Sequence, residues 1–361
     1  MTLQRQLGFW IVSLIVFIAF LAVFAQILLP FVAGMAVAYL LDPVCDRLEA
    51  LGFSRLSATL TILLAFIFVL VLFFVLLVPV LGNQLAGFLE KLPDLVRALH
   101  ELVSQNFGER LVALTGINPA DLQSSFGNLM GQGASWLAGL AKQVWSGGQA
   151  LLSILSLFVI TPVVAFYLLL DWDRMVARID GWLPRDHLEE IRKLAREMDD
   201  VVSGFVRGQV SVCIILGAFY AVGLALTGLN FGLLIGMGAG LVSFIPFVGA
   251  SLGFIVSLGV ALVQFWPDWI MILIVAAVFA VGQFLEGNIL QPNLVGDKTG
   301  LHPVALMFAL FAFGYLFGFV GMLIAVPAAA MIGVLARFAL RQYLASPFYK
   351  GVGGPEPADR E

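Results

Sequence analysis

The chain has 361 residues, 61% of them hydrophobic and only 12% charged, with a formal net charge of −4. Soluble proteins average roughly 45–50% apolar and about 25% charged residues, so this composition indicates a protein that lives in a bilayer rather than a soluble one. No basic stripe is present to neutralise phosphates, which excludes nucleic acid as a partner.

At the N-terminus a single arginine, Arg5, precedes an apolar stretch too long for a signal peptide and without a cleavage pattern, so it reads as a retained first span. A helix needs about 20 apolar residues to cross hydrocarbon, and Gly8–Leu29 meets that requirement. Pro30 separates it from the shorter apolar run Phe31–Leu41, which predicts a hairpin with a shallow return leg. Thr59–Leu81, Leu151–Leu170 and Gly208–Leu226 are full spans, and Trp269–Leu285 makes another. The expected organisation is N-terminal spans over 1–81, an extracytoplasmic helical insertion over 82–150 and a span over 151–170. A cytoplasmic helical segment follows over 171–207, then a C-terminal core over 208–343 and a cytoplasmic tail over 344–361.

Within the insertion, Asn118-Pro119 is a helix start, an N-cap residue followed by proline. Leu122, Phe126, Leu129, Trp136 and Leu140 then recur at helical spacing and predict an amphipathic helix, either packed in the chain, lying on the membrane or meeting a neighbouring subunit. In the 171–207 segment Leu188, Ile191, Leu194, Met198 and Val201 share one face, and Glu189 and Lys193 stand at i,i+4 spacing on the surface.

From Arg207 to Asp268 sixty consecutive residues carry no charge, and the next charge is Glu286. Phe231–Phe265 would be roughly 50 Å long as one helix, far more than a bilayer. It is interrupted by Ser243, Pro246 and Gly249. Pro303–Leu340 is similar, with Gly314, Gly318 and Gly321 near its centre. Each is predicted to be two half-length helices folded into a hairpin, the two tips meeting near mid-membrane. A kinked long helix is the alternative. The fold class is therefore all-α, a polytopic transmembrane protein with two broken-helix hairpins. Lys and Arg concentrate in the 42–56 and 171–207 loops and after the last apolar run, which puts those regions and both termini in the cytoplasm.

No phosphate-binding loop, HExxH or GxSxG is present, and the three histidines are far apart. Neither an enzyme nor a metal or other cofactor is expected. Cys45 and Cys213 read as packing residues. The strongest polar constellation is Gln283, Glu286, Asn288, Gln291, Pro292 and Asn293, followed by Asp297 and Lys298. On a helix Gln283 and Glu286 share a face and Gln291 lies near it, while Asn288 points elsewhere. Pro292 would end or kink that helix and free carbonyls for a cation or polar solute. Glu286 is either a site residue that carries a proton or a span terminator paired with Lys298. Ser243, Pro246 and Gly249 form a second candidate element, where a hairpin tip would approach a ligand; close helix packing is the alternative.

These same residues carry a family resemblance. Glu286-Gly-Asn-Ile-Leu-Gln-Pro292, Gly300-Leu-His-Pro303 and Gly318-Phe-Val-Gly321-Met-Leu-Ile-Ala-Val-Pro327 resemble the C-terminal signature of the autoinducer-2 exporter family, also described as PerM-type permeases. Tyr167-Leu-Leu-Leu-Asp171, Arg207-Gly-Gln209 and Ile245-Pro-Phe-Val-Gly249 support it, in the family's order, over essentially the whole chain. Phe313-Gly314 stands where the family often has a Gly-Gly pair. The resemblance implies a multi-pass bacterial inner-membrane protein of about eight spans, a homo-oligomer with a pentamer as the expected form. Its substrate would be a small molecule or an ion, namely the autoinducer-2 furanone in some members and sodium or lithium exchanged for protons in others. The Glu286–Gln291 block and the Pro246 hairpin are the transport-related parts that it implies. A scaffold acting through the 82–150 insertion is the alternative of another class.

Overall fold

The structure, a computed structural model, describes residues 12–13, 16, 19–21, 23–115, 148–246, 248–295 and 301–350. Most of them are helical, with no strand among the described residues. The helices are α1 (Ala25–Ala50), α2 (Arg55–Thr115), α3 (Gly148–Trp182), α4 (Leu188–Leu226), α5 (Gly232–Val242), α6 (Val248–Phe265), α7 (Trp269–Leu285), α8 (Pro303–Ala345) and α9 (Pro347–Lys350). Six helical stretches among the described residues are long and apolar enough to cross a membrane. The all-α, polytopic expectation holds.

The first turn-back expected at Pro30 does not occur. Pro30 lies inside α1, and the backbone departs from helical geometry instead at Phe24 (φ −94°, ψ 8°). In the second turn a proline forfeits one backbone bond, which a long apolar helix survives. The Thr161 hydroxyl of α3 donates to the Pro30 carbonyl at 3.2 Å. Gly34, one turn on, lies so close to Val164 and the Thr161 carbonyl that a Cβ there would come within 2.7 Å of Val164 Cβ. α2 likewise runs through Pro79, Gly82 and Pro93 without a break, about 90 Å at 1.5 Å per residue. The 82–150 insertion thus begins as a direct continuation of a span. The amphipathic helix expected over 118–140, the first eleven residues and the tail beyond 350 lie outside the described residues.

The charged loops gather at one end of the molecule. Arg55, at the start of α2, donates to Asp42 (2.9 Å), Asp46 (2.7 Å) and Glu49 (2.8 Å) on one face of α1, and its Nε donates to the Leu169 carbonyl of α3 at 2.8 Å. One guanidinium therefore ties three helices. Beyond it, α3 and α4 continue past the apolar slab and close on each other through a two-pronged Arg192–Asp180 pair (2.7 and 2.6 Å). The Arg192 hydrogen bonds hold the Asp180 carboxyl below the ordinary carboxylate range. Tyr39 of α1 donates to Asp199 at 2.8 Å, and Gln342 of α8 donates to Glu190 at 2.7 Å. The apolar face of this segment is used: Leu194, Met198 and Val201 pack with Leu301, Ala330 and Val334.

Both long apolar regions are hairpins. α5 descends antiparallel to α4, with Gly232, Gly236 and Gly240 set against Leu224, Ala221 and Gly217. The spacing of four on α5, met by partners three and four apart on α4, lets the backbones touch, the small-residue packing used where hydrocarbon offers no hydrophobic drive between helices. The base of this hairpin, at the end opposite the charged loops, is stitched by glutamines. Gln264 accepts from Asn230 N and donates to the Gly228 carbonyl, both at 2.8 Å, and Gln84 of α2 accepts from Leu234 N at 3.0 Å. The second hairpin is α8 itself, broken at Gly318 (φ 61°, ψ −140°), a backbone region open to glycine alone. Gly321 then packs on the Phe313 carbonyl, and Leu301 reaches Gly333. On one straight helix those last two residues would be about 48 Å apart. The second hairpin rises from the charged end, so the two enter the apolar slab from opposite sides.

Replacing Gly236 by valine drives a side chain into the Tyr220–Ala221 backbone and should cost about 2–3 kcal/mol, read as a lowered thermal unfolding midpoint in detergent micelles. Arg55→Lys keeps the charge but cannot hold three carboxylates and a carbonyl at once. It should lower stability by about 2 kcal/mol in the same assay.

Candidate functional site

The tip of the first hairpin is fixed by a residue of α4. Gln209 is 1% exposed, and its Nε2 donates to the Ser243 carbonyl at 2.7 Å. That carbonyl belongs to the C-cap of α5, an acceptor with no partner inside the helix. The Ser243 hydroxyl donates to the Ala239 carbonyl at 2.8 Å, and Gly249 lies against Ser243 and that same carbonyl. Ser243 and Gly249 therefore close the tip, and Pro246 is the residue of the three that faces a cavity. Because α4 pairs with α5 from Leu224 down to Gln209, the tip stands about 22 Å from the hairpin base and two residues from Arg207. It reaches the charged end instead of stopping midway. The Gly318 tip does not meet it; α8 packs on α1 and α4.

Past Leu285 the helix widens into a ten-residue π-helix, Glu286–Val295, that carries Pro292 inside it. Pro292 thus neither ends nor sharply breaks the helix, as had been expected. An α-turn would press the proline ring on the carbonyl four residues back, and the wider turn moves that carbonyl away. Gln283, Glu286, Gly287, Gln291 and Val295 of this continuous helix look into one cavity. Its far end rests on Gly208, where any side chain would strike the Leu294 carbonyl. Arg207, next to it, donates from Nε to the Tyr39 carbonyl of α1 at 2.8 Å. The triplet Arg207-Gly208-Gln209 therefore holds α1, the π-helix and the hairpin tip in register.

The cavity measures about 250 Å³. Its polar wall is Gln209, Gln283, Glu286 and Gln291; its apolar wall is Phe205, Pro246 and Val295 with Leu301, Leu306 and Val326 of the second hairpin. Gln283 Nε2 donates to Glu286 Oε2 at 2.8 Å. Among the described residues no lysine or arginine lines the space, so no described cationic side chain there offsets the cost of an ionised Glu286. Three carboxamides supply both donors and acceptors, the equipment for hydroxyl and carbonyl groups.

Of the residues expected at a site, Glu286, Gln283, Gln291 and Pro246 come together. Asn288 does not: it is exposed, and its Nδ2 donates to the Phe284 carbonyl at 3.1 Å. Pro292 and Asn293 are exposed away from the cavity. Asp297 and Lys298 lie outside the described residues. Among the described residues no group of three or more His, Cys, Asp or Glu could hold a metal ion.

Two participants escaped the sequence reading as site residues, although Arg207-Gly-Gln209 was visible as a motif. One is Gln209. The other is Tyr220 of α4, fully buried, stacked on Phe279 (centroids 4.6 Å apart) and seated on Gly282. Its hydroxyl faces Gln283 and Glu286 yet makes no hydrogen bond among the described residues, an arrangement that costs about 1–3 kcal/mol. A groove of about 420 Å³ opens beside it between α6 and α7, lined by Ala250, Ser251, Ala276 and Ala280, and Gln283 lines it too.

Comparison with known proteins agrees with this architecture. A family model described as AI-2E family transporter matches residues 11–341. The YrrI protein of Bacillus subtilis (strain 168) is 29% identical over 329 residues, covering 89% of each chain. The PerM protein of Escherichia coli (strain K12) is 30% identical over 315 residues, covering 86% of each. The AI-2 transport protein TqsA of the same strain is 24% identical, covering 88% of this chain and 86% of its own.

Gln209→Leu keeps the volume but leaves the Ser243 carbonyl without its donor. It should cost about 1–3 kcal/mol and raise amide hydrogen exchange over residues 241–249 at least tenfold, measured by mass spectrometry.

Proposed function

The chain belongs to the AI-2E family of transporters, and from that premise we propose that it is a secondary transporter that exports a small polar solute of the autoinducer-2 kind by alternating access, coupled to protons through Glu286. The observation that carries this reading is the cavity itself. One carboxylate and three carboxamides face a space walled by two hairpins that enter from opposite ends. In this mechanism each hairpin closes the cavity's route to one side, and moving one and then the other exposes the same residues alternately. A neutral, oxygen-rich solute matches the carboxamides. Glu286 takes up a proton when the solute leaves, or gives one up to admit it.

The charged end, which holds the 42–55 and 171–207 loops and the end of α8, faces the cytoplasm of a bacterial inner membrane in this reading, in keeping with its excess of Lys and Arg. The working assembly is a homo-oligomer of five copies, as the family resemblance implies. The Glu286 carboxylate also suits exchange of sodium or lithium for protons, and this is the second reading.

Purified protein in proteoliposomes separates them. Glu286→Gln should insert normally and lose at least tenfold in autoinducer-2 transport; wild-type rates in that variant would overturn the role of Glu286. Proton movement driven by sodium, and abolished by the same substitution, would favour the second reading. A cellular phenotype that survives Glu286→Gln but disappears on deletion of 82–150 would point instead to a scaffold.

A further inference from the structure

The Tyr220 hydroxyl is out of place in the resting geometry. It is fully buried and lies within reach of Gln283 and beside Glu286, yet no described group meets it at hydrogen-bonding geometry. Its position is nonetheless fixed from two sides. Phe279 stacks on the ring, and Gly282 leaves room for it where a Cβ would come within 2.6 Å of the hydroxyl. A phenylalanine would fill this space as well without the stranded polar atom, so packing alone does not account for a tyrosine.

Gln283 is the neighbour that can use the hydroxyl. Its amide nitrogen is committed to Glu286 Oε2 at 2.8 Å, and its side chain lines both the inner cavity and the α6–α7 groove. It therefore stands as the partition between the two spaces. A carboxamide has a donor end and an acceptor end, and the acceptor end suits a tyrosine O–H.

We propose that Tyr220 is a positioning residue, the second hydrogen-bonding station of a swinging Gln283. In the first state, seen here, Gln283 donates to ionised Glu286 and separates cavity from groove. When a proton from water binds Oε2, that oxygen becomes a donor and, having lost its charge, holds the Gln283 N–H only weakly. The carboxamide then turns, its Oε1 accepts the Tyr220 O–H, and the partition opens toward the groove beside Ser251. Loss of the proton reverses the sequence. Among the described residues, Cys213 and Tyr220, both on α4, are the titratable groups that feel Glu286. Of the described residues, the hairpin tip and the second hairpin present Pro246, Leu301, Leu306 and Val326 to the cavity. This mechanism rests on the transport reading above.

The test is Tyr220→Phe in proteoliposomes loaded with autoinducer-2, with Glu286→Gln alongside. The hydroxyl is unbonded in the first state, so the variant should melt at the wild-type temperature or higher. It should nevertheless turn over about three- to tenfold more slowly with KM within twofold, the effect of one lost buried hydrogen bond in the second state. Because the hydroxyl stabilises only the protonated state, its removal should move the acid limb of the transport profile about 0.5–1 pH unit lower. Wild-type turnover and an unmoved pH profile in Tyr220→Phe, while Glu286→Gln is inactive, would overturn the role of Tyr220 and leave the transport reading standing. Normal transport by Glu286→Gln would instead remove the reading on which it rests.

Discussion

A helix interrupted within hydrocarbon leaves backbone donors and acceptors that water cannot reach, so other parts of the protein have to satisfy them. This chain interrupts its helices repeatedly, and side chains from distant segments complete the broken ends. Gln209 serves the Ser243 carbonyl, Gln84 serves Leu234 N, and Gln264 serves Gly228 and Asn230 together. Glutamine is suited to this work because it offers a donor and an acceptor without the desolvation penalty of a charge. Arginine instead bonds carbonyls inside unbroken helices, at Leu169 and Tyr39, close to the charged end. The positions of the hairpins, and hence of the cavity between them, follow from these few bonds.

Arg207-Gly208-Gln209 concentrates that logic. Three successive residues on a helix point in three directions about 100° apart, so one short stretch of α4 can address three neighbours. The middle residue must be glycine, since the π-helix backbone lies where a side chain would be. The flanking residues supply the long polar arms.

Much of this was legible in the sequence. The sixty-residue silence in charge marked the bilayer, and Pro246 with Gly249 and Gly318 with Gly321 located both hairpin tips. What misled were features whose effect depends on partners far away in sequence. Pro30 looked like a break, yet it sits where a helix loses only one bond and Thr161, 131 residues later, engages the carbonyl. Gly82 looked like a boundary because polarity rises there, but the residues that follow still favour a helix. Pro292 was expected to end or kink the helix and free carbonyls, but a π-helix carries it within a continuing helix and the proline does not line the cavity. Gln209 looked like any lone glutamine in an apolar span, because its partner lies 34 residues away.

The length of α2 has a mechanical consequence. Gln84 fastens its middle to the foot of the first hairpin, and Phe88 packs there against Phe231 (ring centroids 5.4 Å apart). From Gln84 to Thr115 is about 46 Å of unbroken helix. Such a rod is a lever with its fulcrum at the hairpin foot: a tilt of about 10° at Gln84 sweeps Thr115 through about 8 Å. Small rocking of the hairpin within the bilayer would thus become a large, directional stroke outside it.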